Sequence, residues 1–79
     1  MDHPFKALRE AKGLSQYDLA FLAGKSQGCI GQAEAGLHIT TSKTIAKIAG
    51  ALRVESMKLE ADIRRWESHR RKALMDKSA

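Results

Sequence analysis

Residues 15–36 read Ser15-Gln16-Tyr17-Asp18-Leu19-Ala20-Phe21-Leu22-Ala23-Gly24-Lys25-Ser26-Gln27-Gly28-Cys29-Ile30-Gly31-Gln32-Ala33-Glu34-Ala35-Gly36. Ser15 is placed to cap a helix: its hydroxyl can accept an amide N–H from about Asp18, whose own carboxylate falls in the positively polarised first turn. The spacing predicts a helix over 16–23 that stops at Gly24. Only Lys25 separates that stop from Ser26, a second capping residue, so a turn of three or four residues joins it to a helix over 27–35.

That spacing is the one of a helix-turn-helix. Laid on a wheel of ~100° per residue, the helix over 27–35 carries Gln27, Gly28, Gly31, Gln32 and Ala35 on one arc and Cys29, Ile30 and Ala33 on the other. One face is core and the other is amide and bare backbone. Two glycines inside a helix cost about 1 kcal/mol each relative to Ala, and close approach of another molecule is a sufficient reason to have them.

The rest of the chain is punctuated in the same way. Gly13, Gly24 and Gly36 each follow a short periodic segment, as glycines do just past a helix end, and no run of alternating β-branched residues occurs. A first helix is predicted over 4–12, with Pro4 in its first turn and Phe5, Leu8 and Ala11 on one face. A fourth, over 42–53, has the stripe Ile45, Ile48, Ala49 and Leu52 and can be capped by Thr40, Thr41 or Ser42. The last begins near Ser56 and runs to about Leu74, with Leu59, Ile63 and Trp66 at i, i+4 and i+7. The expected fold is therefore all-α, with five helices and no internal repeat.

Composition limits what such a fold can do. The 79 residues carry 14 Lys and Arg against 9 Asp and Glu, a formal charge of +5. A chain this short buries roughly 60–65% of its surface on folding, so a dimer interface would add useful stability and no second catalytic domain fits. Arg64, Arg65, Arg70, Arg71 and Lys72 against Glu67 concentrate +4 within nine residues. A basic balance suggests a polyanionic partner, yet DNA, RNA and acidic proteins are alike in that respect, and a solvated helix face explains the cluster as well.

Chemistry other than binding finds little support. The single cysteine, Cys29, forms no intramolecular disulfide and falls at the core edge, as a small buried thiol does. His3, His38 and His69 are too far apart for metal-ligand spacing. No Ser/His/Asp or Cys/His arrangement, paired carboxylates or phosphate-binding glycine loop occurs, so neither enzyme activity nor a cofactor or metal is expected. The opening residues Met1-Asp2-His3-Pro4-Phe5-Lys6 lack the apolar run of a signal peptide, and no stretch reaches the ~18 apolar residues of a membrane span. The expectation is a soluble cytoplasmic protein.

Several spaced features recur together: Leu8-Arg9 before Gly13-Leu14-Ser15-Gln16, Leu19-Ala20, Gly24, Ser26-Gln27, Ile30, Glu34 with Gly36, then Ile48-Ala49, Ala51-Leu52 and Val54. Over residues 5–59 this order resembles the phage repressor and Cro group of helix-turn-helix regulators, the Xre-like family. The resemblance implies a five-helix, lambda-repressor-like DNA-binding domain over 1–60 and a helical extension over 61–79. It places the second motif helix in the DNA major groove. Gln27, Gly28 and Gln32 stand where the family meets base edges, and Gly31 shares their face. A glutamine amide can pair bidentately with adenine N6 and N7, worth ~1–3 kcal/mol of discrimination.

The same resemblance implies phosphate contacts at Gln16, which also braces Gln27, at Tyr17 and Ser26, and along Leu37-His38-Ile39-Thr40 into the start of the fourth helix at Thr41, Ser42 and Lys43. Helix N-termini bind anions without further help. Arg9 and Glu34 occupy positions that pair as a buried structural ion pair. The chain departs from the pattern at Lys25, Ala33 and Thr40, where the family usually has an apolar turn residue, a larger core residue and proline. Tyr17, Phe21 and Leu22 are apolar where the family is polar; they pack locally against Phe5 or form a partner surface.

The family core ends near Leu59, so Ile63 and Trp66 are surplus apolar surface. Regulators of this type bind paired half-sites as two-fold dimers, and Leu59, Ile63 and Trp66 are expected to build the dimer contact with Trp66 as anchor. The opposing reading packs Trp66 on the first helix of its own chain. Arg64, Arg65, Arg70, Arg71 and Lys72 then rim the dimer or reach flanking phosphates. The functional expectation is a homodimeric, sequence-specific repressor of the kind carried by mobile elements, acting on a double-stranded operator. The alternatives are a DNA-binding antitoxin held by a toxin, or a protein-interaction or RNA-binding module on the same fold.

Overall fold

A computed structural model describes residues 2–37 and 39–78. Five helices follow one another: α1 (Pro4–Ala11), α2 (Gln16–Ala23), α3 (Gln27–Glu34), α4 (Ser42–Leu52) and α5 (Ser56–Ser78). There is no strand among the described residues. The starts of α1 to α4 are each set by a local side chain. Ser15 accepts the Asp18 N–H at 3.0 Å while Asp18 Oδ2 accepts the Ser15 N–H at 2.9 Å, a reciprocal capping box. Ser26 accepts the Cys29 N–H at 3.1 Å, and Thr41 accepts the Thr44 N–H at 3.3 Å. At α1 the cap is His3, whose Nδ1 accepts the Phe5 N–H at 3.1 Å just ahead of Pro4. Gly24, in the left-handed region at φ 67°, ends α2 and turns the chain into α3 within three residues.

The apolar stripes of all five helices meet in one core. Phe5, Leu19, Ile30, Ile45, Ile48, Leu52 and Ile63 are fully buried, with Ala20, Ala23, Ala33 and Ala49 closing the narrow gaps between α2, α3 and α4. Small residues at those crossings let the backbones come near one another, which holds the two motif helices at a fixed angle. Cys29 is half-buried at the edge of this core.

The last helix corrects the sequence reading. α5 runs unbroken through residue 60, and Leu59, Ile63 and Trp66 are 2%, 0% and 7% exposed within a single chain. They are therefore not a free dimer face in this fold. Their i, i+4, i+7 stripe continues the core past the expected domain boundary, because α5 lies across both α1 and α4. Trp66 meets the His3 ring edge-on, centroids 4.7 Å apart, and His3 meets Phe5 in the same way at 4.5 Å. The N-terminus and α5 are thereby joined through one buried imidazole. Tyr17, Phe21 and Leu22 also depart from local packing on Phe5: Phe5 is wholly in the core, while those three are exposed.

Candidate nucleic-acid interface

The outer face of α3 is built by what its inner face must bury. Ile30 and Ala33 point into the core, which turns Gln27, Gly28 and Gln32 to solvent and leaves Gly31 half-buried. Together with Gln16 and Leu37 these residues line a shallow concave strip. The strip contains no charged side chain. Around Gly28 the surface is bare: a Cβ there would have only the Ser26 hydroxyl, 3.9 Å away, as a neighbour.

Beneath the strip lies a buried charge pair. Arg9 reaches from α1 to Glu34 at the end of α3, Nε to Oε2 at 2.9 Å and Nη2 to Oε1 at 3.0 Å, and its Nη1 donates to the Leu14 carbonyl at 2.8 Å. The Glu34 carboxylate holds the Arg9 guanidinium above its ordinary pKa, chiefly through these hydrogen bonds. Gln16 joins the pair: its Nε2 donates to Glu34 Oε1 at 3.1 Å. An ionised carboxylate only accepts, so the amide must turn its nitrogen inward, and its oxygen then lies over Gly31. A Cβ on Gly31 would sit 3.3 Å from that oxygen. Gly31 therefore has a reason within the fold to be bare. The residue that holds Gln16 here is Glu34; no bond from Gln16 to Gln27 is formed.

The positions implied to meet phosphate are differently placed. Tyr17, Ser26, Thr41, Ser42 and Lys43 are all exposed. Ser26 and Thr41 spend their hydroxyl oxygens as caps, while Ser42 Oγ donates to Glu60 Oε2 at 2.8 Å. Thr40 is a correction. It is 1% exposed, its N–H donates to Glu67 Oε2 at 3.1 Å, and its carbonyl accepts from Arg64 Nη1 at 2.7 Å. Both backbone groups are engaged by α5, and the hydroxyl, though unpartnered, is buried out of reach of a phosphate. His38 lies outside the described residues.

The basic cluster of α5 is also partly committed. Arg64 bridges Glu67 at 3.0 Å and Glu60 at 3.5 Å, and Arg65 meets Asp62 at 3.6 Å. Arg70 stands over the Trp66 ring, 5.6 Å from its centroid. Arg71 and Lys72 are exposed and make no ion pair among the described residues. The sequence reading missed the strap from Arg64 and Glu67 to Thr40, whose only local trace is their i, i+3 spacing. It also missed His3 as a cap, although a polar residue directly before a first-turn proline occupies the capping slot.

Burial shifts His3 as well. Its pKa is lowered from 6.5 to about 4 because desolvation penalises the imidazolium more than the carboxylates of Glu34 and Glu67 favour it. Exposed Asp18 is lowered too, by the hydrogen bonds it exchanges with Ser15.

No group of His, Cys, Asp and Glu side chains able to hold a metal is found among the described residues. No helix there is long and apolar enough to cross a membrane. A comparison with curated proteins finds no match. A family model described as Helix-turn-helix does match, over residues 5–59, from the first turn of α1 to the first turn of α5. Because that match spans more than half of the chain and its helices follow in the order described above, the chain belongs to the Cro/C1-type, Xre-like helix-turn-helix family of DNA-binding regulators.

Proposed function

We propose that this chain is a homodimeric repressor that reads a double-stranded operator with α3 and blocks a promoter by occupancy. The observation that carries the reading is the uncharged concave strip of Gln27, Gly28, Gly31 and Gln32 on a helix whose inner face is locked into the core. Amide side chains can discriminate bases, whereas bare lysine-rich surface would bind any phosphate backbone. Gln27 and Gln32 carry the readout and Gly28 lets the backbone approach the base edges. Gln16, Tyr17, Ser26 and Lys43 hold phosphates on either side, together with backbone N–H groups at Thr41 and Ser42, whose hydroxyls are already engaged by Thr44 and Glu60. The decisive experiment is a band shift on DNA upstream of the chain's own gene. Gln27→Ala and Gln32→Ala are each expected to cost about 1–3 kcal/mol of specific over non-specific affinity; unchanged specificity in the double variant would sink the reading.

The dimer surface lies beside Trp66 and away from the buried Leu59 and Ile63. Exposed Ile39 lies between α3 and α4 and faces a cleft shared with Trp66, Glu67, Arg71 and Leu74 of α5. A second copy seated there would hold two reading helices at a fixed separation, and paired half-sites one helical turn apart require roughly 34 Å. Ile39→Asp with Leu74→Asp should leave a folded monomer in sedimentation, since both side chains are more than half exposed.

A further inference from the structure

α2 is apolar on two sides. Its inner side puts Leu19, Ala20 and Ala23 into the core, yet Phe21 is 76% exposed and Leu22 55%. Between α2 and α4 these two side chains wall an open groove floored by Ala23, Gly24, Gly50 and Ala51. Gly50 is the informative residue. It lies inside α4, where glycine weakens a helix, and apart from its chain neighbours and the backbone of α4 itself no atom comes within 4 Å of where its Cβ would be. Nothing within the fold requires the gap.

The rim of the groove is basic. Lys47 and Arg53 line it, both exposed, with no ion pair among the described residues and no acidic side chain beside them in the lining. Arg53 keeps its side chain even at φ 57°, a left-handed position that favours glycine. We infer that this groove is a second binding surface, which takes an amphipathic helical segment of another protein whose apolar stripe is flanked by carboxylates. Phe21 and Leu22 would grip the stripe, the missing Gly50 side chain would let the helix backbone settle, and Lys47 and Arg53 would meet the flanking charges.

Charge excludes the nearer occupants. A second copy would bring Lys47 and Arg53 against their own counterparts, and the exposed Leu74 and Met75 of α5 come surrounded by Arg70, Arg71 and Lys72. Duplex DNA has no apolar ridge to fill an aromatic-walled groove. The groove also shares no lining residue with the strip on α3, so partner and DNA can be held together.

The test uses the full chain and a fluorescein-labelled synthetic helix with leucines at i, i+3, i+4 and i+7 flanked by glutamates. A companion peptide has lysine for every glutamate. Anisotropy should show saturable binding of the glutamate peptide only. Phe21→Ser with Leu22→Ser should weaken it at least about tenfold. Gly50→Gln should weaken it comparably while raising Tm, opposite signs that a purely structural role would not produce. Lys47→Glu with Arg53→Glu should transfer the preference to the lysine peptide. Equal binding of both peptides, or no saturation below about 1 mM, overturns the inference. So does self-association in sedimentation that Phe21→Ser with Leu22→Ser abolishes, since the surface would then belong to a second copy. Band shifts on DNA should be unaltered by Phe21→Ser with Leu22→Ser, which keeps this result separate from that on operator reading.

Discussion

α3 and α5 are both fastened to α1, but by opposite chemistry. α3 is held by a buried ion pair, Arg9 to Glu34, and α5 by a neutral imidazole, His3, wedged against Trp66. The outer surfaces differ just as much. α3 shows amides and glycine, while α5 carries Arg64, Arg65, Arg70, Arg71 and Lys72. Charge on this molecule is thus kept inside the reading helix's anchor and outside the last helix's. The contrast teaches that the proposed reading face and the excess positive charge occupy different elements. A charge pair buried under α3 can fix the outer face of that helix without adding unspecific pull to it.

The comparison can be broken most forcefully at the ion pair. Arg9→Met leaves Glu34, itself only 4% exposed at its side chain, without its counter-charge, and is expected to destabilise the fold by about 3–5 kcal/mol in urea unfolding. Arg9→Met combined with Glu34→Leu should recover much of that loss, because no uncompensated charge remains. A double variant as unstable as the single one would mean that the pair contributes by more than mutual neutralisation.

At the other anchor the effect is set by pH. His3 takes up a proton near 6.5 when unfolded but only at about 4 in the fold. Between those values the unfolded chain holds the extra proton, so stability is full above about 6.5 and falls as the pH drops towards 4. The loss amounts to about 3 kcal/mol across that window. Unfolding free energies measured at several pH values check it, with His3→Asn, which keeps a capping group but does not titrate there, expected to flatten this slope.

A smaller effect joins the two regions. Gly36, at φ 73°, leaves α3 directly beneath α5, and a Cβ there would lie 2.5 Å from Arg70 Nε and 2.9 Å from Trp66 Cη2. Gly36→Ala combines the left-handed penalty with displacement of a packed ring, about 2 kcal/mol together, readable as a lowered Tm. The smallest effect sharpens the electrostatic side. Arg71→Glu with Lys72→Glu should flatten the slope of log K against log salt by ~0.9 for each phosphate that these side chains neutralise. An unchanged slope would leave those two cations as solvated surface.

Much of this was legible in the chain because it is local. Ser15 with Asp18, Ser26, Thr41 and Gly24 act within four residues of themselves, so caps, stops and the short turn follow from spacing. The face of α3 followed as well, since Ile30 and Ala33 can share only one side of a helix. Arg9 and Glu34 are 25 residues apart, and only the family resemblance connected them. Nothing local shows that Thr40 lies under Glu67 and Arg64, or that Phe21 and Leu22 have no core left to enter.

The sequence by itself therefore determined the five helices, the motif turn and the uncharged character of the outer face of α3. The tertiary structure alone decided where the apolar stripe of α5 is spent. A stripe of Leu59, Ile63 and Trp66 has the same pattern whether it meets a second copy or its own α1 and α4. Only the path of the chain in space settles which surface is nearer, and here it is the surface of the same chain.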